Sequence, residues 1–581
     1  MDDNTTNICR EAILHIPQSQ FSFAINEHAI VMRLRVARGN ILECSLCFGD
    51  RAFHGNPVPI STVPMEVVCS DLYYDFYETT LSARFSRICY CFLLKSNSES
   101  LYYCADLFLH ELPVERNEYY QYPYIRREEI STIPVWFENA VVYNIFPDSF
   151  ASERCNLIGT DSVHENGTPS KSQSRHGGTL YGIRQNLDYI AELGANCLYL
   201  NPIFTAGEYH KYDIVDYYHI DPCFGTDADF KDLVDAAHDR GIAVILDGVF
   251  NHCSWFFFAF DDVVKRGRDS EYVDWFYDLS FPVVRPDNET DMPGYACFAY
   301  ERKMPKLNSS HPDVRAYFMD VCKYWMREYR IDGWRLDVAS ELDKGFWREF
   351  RHVARQENPD CVMIAEIWES AEIWLRGDMF DSTMNYDFRK NCRDFFAKGI
   401  LNAAEFDARA TMMRMRYPYG IMRGQLNLLD SHDVSRFLSL CSGDKRRLRL
   451  AILFQMSFPG VPSIFYGDEL GVNGLDESDY RKAMPWGYAD ETLLEFYKSA
   501  ISIREYPEVV YGDYHTLYTK ANMYIFERRY KKHSLVVVLN VDAETVAIPF
   551  DPPKNDPVIS GGYSGETLCG FGYVAWRNAI D

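Results

Sequence analysis

The sequence predicts an α/β protein: a (β/α)8 TIM barrel with an inserted subdomain after its third strand, flanked by an N-terminal and a C-terminal β-sandwich. Three observations predict this class. Apolar runs of strand length alternate with amphipathic helical segments through the middle of the chain. Short alternating segments separated by turn residues fill both ends. A chain of 581 residues also exceeds what one hydrophobic core usually supports.

Residues 1–130 are predicted to form the N-terminal β-sandwich. Their strand candidates include 30–36 (IVMRLRV) and 88–94 (ICYCFLL), with turn residues such as those at 55–57 between them. The stretch 119–134 is rich in Tyr and in charge and has no clear period, so we expect a linker that lies over a neighbouring surface. The barrel is predicted to begin at residue 135.

Residues 135–485 are predicted to form the barrel. Its eight candidate strands are 140–146, 196–200, 242–247, 331–338, 362–368, 380–385, 425–429 and 463–466. Helix 227–240 opens on a capping box formed by Thr226 and Asp229, and helix 312–329 has Pro312 in its first turn. The segment of about 251–311 is too long for a simple connection, so it is predicted to be an inserted subdomain beside the active face.

Residues 486–581 return to short β-like runs, including 523–527 and 534–539 (SLVVVL). A C-terminal β-sandwich is the simplest interpretation of this pattern.

Composition and charge exclude several classes of partner. The formal net charge of -25 would repel nucleic acid and anionic membrane surfaces. Aromatic residues make up 15% of the chain and suit flat ligands such as sugar rings. The 17 Cys are odd in number and lack paired close spacing, so we expect reduced thiols. No secretory signal and no run of 18 apolar residues is evident, and the protein is therefore predicted to be cytoplasmic.

Polar side chains follow several of the predicted strands at their carboxyl ends, where the side chains of such a barrel converge on one site. They follow strands three, four, five and seven: Asp247, His252, Arg335, Asp337, Glu366, His432 and Asp433. For Asp247 alone, a structural role that orients its neighbours is as acceptable as a catalytic one.

The surroundings of Asp337 and Glu366 in the sequence predict different roles for the two carboxyl groups, one as a nucleophile and one as an acid. Arg335 and Asp337 share one face of a strand, and the guanidinium is expected to keep Asp337 ionised and nucleophilic. Glu366 follows an apolar run, where desolvation and nearby negative charge favour its protonated form, so it is the candidate general acid. Asp433 suits hydrogen bonds to sugar hydroxyls. His252 and His432 are expected to donate to the same hydroxyls, and Arg335 is also assigned to substrate binding.

The segments at the ends of strands three, four, five and seven closely resemble the α-amylase family of glycoside hydrolases. They are residues 247–252, 333–337, 366 and 432–433. Supporting similarities are the segments 143–147 (YNIFP) and 460–469 (GVPSIFYGDE). The resemblance implies that Asp337 forms a covalent glucosyl intermediate, that Glu366 protonates the leaving oxygen and later activates water, and that Asp433 stabilises the transition state. It also implies retention of configuration.

Within that family, the segment 304–308 (MPKLN) resembles the neopullulanase, cyclomaltodextrinase and maltogenic amylase group. The resemblance extends to His210 and Tyr212 after the second strand, and it implies that Tyr212 stacks on a glucose ring. Trp368 resembles a position near the aglycone side. The implied substrates are α-1,4-linked cyclodextrins, pullulan and maltooligosaccharides, and the implied assembly is a homodimer through the N-terminal domain.

Two alternatives stay open from the sequence. The same three carboxylates serve transglycosylases and isomerases of the family, and Glu369 stands where the group usually has His, which bears on transfer to sugar acceptors. A non-catalytic carbohydrate-binding protein is the second alternative. No cofactor is predicted to be required and no metal ligand is assigned: the stretch 151–155 lacks the Asn, Gly and Asp run with which many relatives hold calcium, so a structural calcium is not expected.

Overall fold

The computed structural model describes residues 7–82, 86–130, 132–152, 175–288, 290–487, 490–520 and 522–580. The chain runs from an N-terminal β-domain through a closed barrel to a C-terminal sheet. Within these ranges, no helix combines the length and the apolar character needed to cross a membrane.

The N-terminal domain is a two-layer β-structure. Its strands in the described residues are β1 (Ser22–Asn26), β2 (Ala29–Ala37), β3 (Glu43–Asp50), β4 (Ser61–Ser70), β5 (Tyr74–Ser82), β6 (Ile88–Lys95), β7 (Ser100–Cys104), β8 (Leu107–Leu109) and β9 (Tyr120–Tyr122). Their order is β1-β2-β5-β4-β3-β6-β7-β8. Side chains of β2, such as Ile30 and Leu34, pack on Phe92 and Leu94 of β6, which is not a neighbour of β2 in the sheet. The two predicted strands 30–36 and 88–94 are confirmed as β2 and β6.

The Tyr-rich stretch after this domain departs from the prediction of a linker. Its first residues form β9, which pairs antiparallel with β6 through Tyr120 and Tyr122. Both rings are buried in the core of the domain. Because Tyr120 and Tyr122 are two residues apart on a strand, they share one face, and this short alternation was too brief to stand out in the sequence.

The central domain is a closed barrel of parallel strands, as the sequence predicts. Its strands and the hairpin β12–β13 that follows its second strand are β10 (Val142–Ile145), β11 (Cys197–Leu200), β12 (Phe204–Ala206), β13 (Ile214–Ile220), β14 (Ala243–Gly248), β15 (Gly333–Leu336), β16 (Val362–Ala365), β17 (Ser382–Asn385), β18 (Leu426–Leu428) and β19 (Val461–Phe465). Pairing of β10 with β19 closes the barrel. Each of the eight predicted strands overlaps one strand of the closed sheet.

Helices of the barrel domain form its outer layer. Those in the described residues are α1 (Val135–Glu138), α2 (Pro147–Phe150), α3 (Leu180–Gln185), α4 (Leu187–Leu193), α5 (Asp227–His238), α6 (Phe258–Arg266), α7 (Pro312–Glu328), α8 (Lys344–Glu357), α9 (Tyr386–Cys392), α10 (Ala403–Met415), α11 (Tyr419–Gly424), α12 (Phe437–Leu440), α13 (Lys445–Ser457), α14 (Glu477–Tyr480), α15 (Glu491–Ser502) and α16 (Pro507–Tyr511). The capping box of α5 forms as predicted between Thr226 and Asp229.

The long segment between β14 and α7 contains α6 and runs back to the mouth of the barrel. A bridge between His252 and Lys306 ties its two ends together. The Lys306 ammonium contacts the side-chain oxygen of Asn251 and lies 2.9 Å from Glu341. This insertion therefore forms one wall beside the carboxyl ends of the strands.

The C-terminal domain follows α15 and α16. Its strands in the described residues are β20 (Asp513–Tyr518), β21 (Met523–Tyr530), β22 (His533–Asn540), β23 (Val546–Ala547), β24 (Ile559–Tyr563) and β25 (Thr567–Ala579). Val537 and Leu539 on one face of β22 join the core of the barrel. Val538 on the other face packs with Leu568 and Trp576 in a separate cluster.

A buried ion pair connects the N-terminal domain to the barrel. Arg33 of β2 is fully buried and contacts Glu78 of β5 through two nitrogens, each at 2.8 Å. It also donates to the backbone carbonyl of Met415 at 3.2 Å, while the Tyr419 hydroxyl donates to Glu78. The two domains thus share one charged cluster from which water is excluded.

Candidate active site

A cavity of about 550 Å³ lies at the carboxyl ends of the barrel strands. Its walls come from the β12–β13 hairpin, the insertion, the ends of β15 and β16, and the loops after β18 and β19. The lining residues are His210, Tyr212, His252, Phe298, Met304, Asp337, Val338, Ser340, Glu341, Glu366, Trp368, Asp433, Glu477 and Arg481. Seven of the nine predicted site residues line this cavity.

Arg335 organises the floor beneath the cavity. Its side chain is fully buried, and one terminal nitrogen lies 2.8 Å from both Asp247 and Asp337. The other terminal nitrogen lies 2.9 Å from Glu366. A single guanidinium therefore holds the predicted nucleophile and the predicted acid side by side. Because Arg335 is buried below them, it orients carboxylates, whereas the sequence predicted direct contact with substrate.

The ionisation of Asp337 depends on burial as well as on Arg335. Desolvation raises the pKa of Asp337 well above its usual range, the Arg335 guanidinium opposes this shift, and the negative charge of Glu366 adds to it. Arg335 thus favours the ionised form of Asp337, as the sequence predicts, but burial outweighs its effect on the pKa of Asp337. Asp337 and Glu366 share one cation, Arg335, at close range.

Glu366 is held through both carboxylate oxygens. Its Oε2 accepts the backbone N–H of Val338 at 3.0 Å and contacts Arg335. Its Oε1 accepts the indole N–H of Trp368 at 3.1 Å. Val338 has a left-handed backbone (φ 44°), an uncommon conformation for a β-branched residue, directly after the predicted nucleophile.

Asp433 faces the cavity as an ionised acceptor. Burial favours its neutral form, but His432, Arg335 and Arg481 outweigh that effect and lower the pKa of Asp433 to about 2. The Nε2 atom of His432 lies 3.0 Å from one carboxylate oxygen, and Arg481 lies 3.6 Å from the other. An ionised carboxylate suits hydrogen bonds from sugar hydroxyls, as the sequence predicts.

His432 lies behind Asp433 and does not line the cavity. The side-chain amide of Asn201 lies 2.9 Å from its Nδ1, and Nε2 faces both the Tyr212 hydroxyl and Asp433. Both ring nitrogens are thus engaged by the protein. The sequence predicted that His432 donates to sugar hydroxyls, whereas this geometry makes it a support for Tyr212 and Asp433.

Tyr212 stands on the β12–β13 hairpin with its ring stacked on His432, at a centroid distance of 5.4 Å and an angle of 9°. Its hydroxyl donates to Asp247 at 2.9 Å. Asp247 is buried and also accepts from Tyr199 at 2.8 Å, so its contacts are those of an orienting group. His210 lies beside Tyr212, and burial lowers the pKa of His210 to about 4, which leaves the ring neutral.

His252 lines the cavity near Tyr212 and His210. Burial and the nearby Lys306 lower the pKa of His252 to about 3, so its ring is neutral. The ring stacks on Phe298 at a centroid distance of 4.9 Å and lines the cavity next to the backbone of Tyr212. A neutral imidazole at this position suits a hydrogen bond with a polar ligand group.

Sequence reasoning missed several residues of the cavity, among them Phe298, Glu477 and Arg481. Phe298 comes from the insertion, whose path the sequence does not define. Arg481 donates to the backbone carbonyl of His432 at 2.8 Å and contacts Glu477 at 2.7 Å. The four-residue spacing of Glu477 and Arg481 is also typical of an ordinary surface ion pair, so it gave no usable signal.

No group of three or more His, Cys, Asp or Glu residues that could hold a metal ion occurs in the ranges that the structure describes. Of the stretch 151–155, for which the sequence predicted no calcium, residues 153–155 lie outside the described residues.

Sequence profiles of three domains match the chain. The alpha amylase catalytic domain matches residues 144–486, more than half of the chain. The alpha amylase N-terminal ig-like domain matches residues 8–126, and the alpha-amylase C-terminal domain matches residues 512–568.

Individual proteins are similar over nearly the whole length. Neopullulanase 2 of Thermoactinomyces vulgaris is 40% identical over 94% of this chain and 93% of its own. An intracellular maltogenic amylase of Bacillus subtilis is 35% identical over 85% of this chain and 84% of its own. A solved cyclomaltodextrinase structure superposes with a TM-score of 0.89 at 35% identity, covering 97% of this chain and 99% of the other.

Proposed function

The chain belongs to the α-amylase family of glycoside hydrolases, and from that premise we propose that it hydrolyses α-1,4-glucosidic bonds of cyclodextrins, pullulan or maltooligosaccharides with retention of configuration. Asp337 is the nucleophile, Glu366 the general acid and base, and Asp433 the stabiliser of the transition state. The observation that carries this assignment is the contact of one buried guanidinium, Arg335, with both Asp337 and Glu366 at the floor of the cavity.

The proposed reaction has two steps. Glu366 gives its proton to the glycosidic oxygen while a carboxylate oxygen of Asp337 attacks the anomeric carbon, so the aglycone leaves and a glucosyl ester of Asp337 forms. Water then attacks the same carbon, Glu366 accepts a proton from that water, and Asp337 is released as a carboxylate. Two inversions give net retention. Asp433, His252 and Tyr212 are proposed to bind the sugar at the reacting position.

The ionisation state of Asp337 fits this scheme once substrate is bound. Burial raises the pKa of Asp337, and the proton that the first step needs is proposed to reside on Glu366. Arg335 contacts both carboxylates. Positive charge that develops on the sugar next to Asp337 then favours the form in which Asp337 is negative and Glu366 is protonated. We therefore propose that Asp337 becomes the nucleophile and Glu366 the acid only as the bond breaks.

Substrate assignment rests on the relatives. The names of similar proteins refer to cyclodextrin, pullulan and maltooligosaccharide chemistry, and the cavity is about 550 Å³ with neutral His and aromatic walls. Initial rates on γ-cyclodextrin, pullulan and soluble starch, with products identified, test the assignment. Release of glucose, maltose or panose with the α-anomer formed first supports it. Dominant new glycosides would show transfer instead of hydrolysis, and an α,α-linked disaccharide would show isomerisation. A first-formed β-anomer would show inversion of configuration.

Two substitutions test the residue roles. Asp337→Asn and Glu366→Gln are each expected to lower kcat by several orders of magnitude, because each removes a group that forms or breaks a bond. Glu328→Gln is the matched control, since this carboxylate on α7 is exposed and does not line the cavity. An unchanged kcat in either test variant contradicts the assignment.

We also propose how the protein assembles, where it is located and that it needs no cofactor. A homodimer through the N-terminal domain is supported by exposed apolar side chains there, such as Leu42 and Tyr73, and is contradicted by a monomer in sedimentation at assay concentration. A cytoplasmic location is supported by free thiols at every cysteine of the described chain and by the intracellular relative. Activity is proposed to need no cofactor and no calcium.

A further inference from the structure

The two oxygens of the Glu366 carboxylate have different partners. Oε2 lies against two groups that can only donate: the Val338 N–H at 3.0 Å and the Arg335 guanidinium at 2.9 Å. Oε1 has a single protein contact, the indole N–H of Trp368 at 3.1 Å. The Ala339 N–H also donates to the backbone carbonyl of Glu366 at 3.3 Å, so the Oε2 side is fixed to the turn that follows the nucleophile.

These partners decide where an acid proton can reside. A proton on Oε2 would face a guanidinium and a backbone N–H, neither of which can accept it. A proton on Oε1 meets no such conflict, because Oε1 keeps a free lone-pair direction beside its one contact. We propose that Glu366 carries its acid proton on Oε1 and that Trp368 is a positioning residue which stabilises this oxygen when the proton leaves. The inference rests on the role of Glu366 under the proposed function.

The consequence appears in the bond-breaking step. The proton on Oε1 passes to the glycosidic oxygen, which also takes the electron pair of the breaking C1–O bond, and Oε1 becomes negative. The Trp368 N–H already points at Oε1, so it stabilises charge that develops in the transition state without reorganising. When water attacks the glucosyl ester, the same oxygen takes the proton back.

The indole is held in place from one side only. Trp368 stacks on Tyr386 with a centroid distance of 3.6 Å and an angle of 9°, while 52% of Trp368 is exposed. Tyr386 is itself buried, and its hydroxyl lies next to the side chain of Ser431. The stack therefore fixes the ring plane and with it the direction of the N–H.

Other charged groups near Glu366 stay the same when Trp368 is changed. Arg335 and Asp337 face it from the end of β15, and Tyr386 faces it from α9. Asp247 and Asp433 influence it through the shared guanidinium and the charge on Asp337. A substitution that removes only the indole N–H thus isolates one contact.

Trp368→Phe tests the proposal, because it keeps an aromatic ring and removes the donor. The basic limb of the kcat/KM profile reports loss of the acid proton, and we expect it to move to higher pH by about 0.5 to 1 unit. We expect kcat/KM for γ-cyclodextrin to fall by about 3- to 10-fold, because the developing carboxylate loses a donor. For α-maltosyl fluoride, whose leaving group needs little protonation, the fall should be less than about 2-fold.

Tyr386→Phe is the matched control, since it keeps the stacked ring and the Trp368 N–H and removes only the hydroxyl next to Ser431; its basic limb should stay within about 0.2 pH unit of the original. Thermal unfolding checks that each variant is folded. An unmoved basic limb in Trp368→Phe, or equal loss of rate on cyclodextrin and fluoride, overturns the inference. Glu366→Gln with full activity would instead reject the proposed function, so the two failures are distinguishable.

Discussion

Replacing Arg335 with Met removes the cation that Asp247, Asp337 and Glu366 share. Two unit charges about 4 Å apart attract by about 4 kcal/mol at an effective dielectric constant of about 20, which corresponds to about 3 pKa units. No discount for solvent applies, because Arg335 is fully buried and Asp337 is nearly so. Burial already raises the pKa of Asp337, and loss of the guanidinium raises it further.

The sign of the activity change follows directly. Asp337 attacks as a carboxylate, so a higher pKa lowers the ionised fraction at any given pH. The acidic limb of kcat/KM should therefore move up by about 2 to 3 pH units, and at a pH below both limbs the rate should fall by about 100- to 1000-fold. The rate should partly recover as the pH rises toward the displaced limb.

Asp247→Asn should shift the pKa of Asp337 in the direction opposite to that of Arg335→Met, because Asp247 is an anion at the same guanidinium. The charge of Asp247 contributes to the raised pKa of Asp337, so its removal should move the acidic limb down, by up to about 1 pH unit. Arg335→Lys keeps the cation and should shift the limb less than Arg335→Met does.

The assay is kcat/KM on γ-cyclodextrin from pH 4 to 10, with thermal unfolding of every variant. Arg335→Met leaves buried carboxylates without their cation, at a cost of about 3 to 5 kcal/mol, so Asp247→Asn keeps the reasoning testable if Arg335→Met does not fold. An acidic limb that stays fixed in Asp247→Asn, or that moves the same way in both variants, would refute the electrostatic account.

Three further predictions concern other parts of the molecule. His252→Ala should lower kcat/KM by about 10- to 100-fold and leave both pH limbs in place, because the low pKa of His252 keeps it neutral across the assay range; a displaced limb would contradict this. Arg33→Met should lower the free energy of unfolding by about 3 to 5 kcal/mol in urea titrations, since it leaves Glu78 buried without its cation, and a loss below about 1 kcal/mol would show that the pair is dispensable. His15, whose pKa burial lowers to about 4, should stabilise the fold fully above pH 6.5 and lose up to about 3 kcal/mol as the pH falls to 4; His15→Gln should flatten the decline of the unfolding midpoint in that window, and an equal decline would exclude His15 as its cause.

The positions of the acid and nucleophile could be predicted because strand ends are local features of the sequence. Asp337 follows the apolar run of β15 and Glu366 follows that of β16, and closure of a parallel barrel brings such ends together. The contacts of His432 with the protein could not be predicted in the same way. Its environment depends on Asn201 and Tyr212, which are more than 200 residues away in the chain.

Other features depend on tertiary packing that a linear pattern does not carry. The sequence shows that Arg335 lies two residues from Asp337, but it does not show how completely water is removed, and desolvation decides the direction of the pKa shift. Phe298 reaches the cavity only because the insertion folds back over the barrel mouth. The alternation at Tyr120 and Tyr122 was too short to distinguish an edge strand from a connecting segment.

The charged cluster of Arg33, Glu78 and Tyr419 affects how the role of the N-terminal domain can be studied. Removing that domain would strip the barrel of a surface that it normally shares, exposing the backbone around Met415 and the ring of Tyr419. A truncated enzyme that fails to work would then say little about recognition of sugars. Point changes on the outward-facing strands, which leave this junction untouched, are the cleaner way to ask what the first 130 residues contribute.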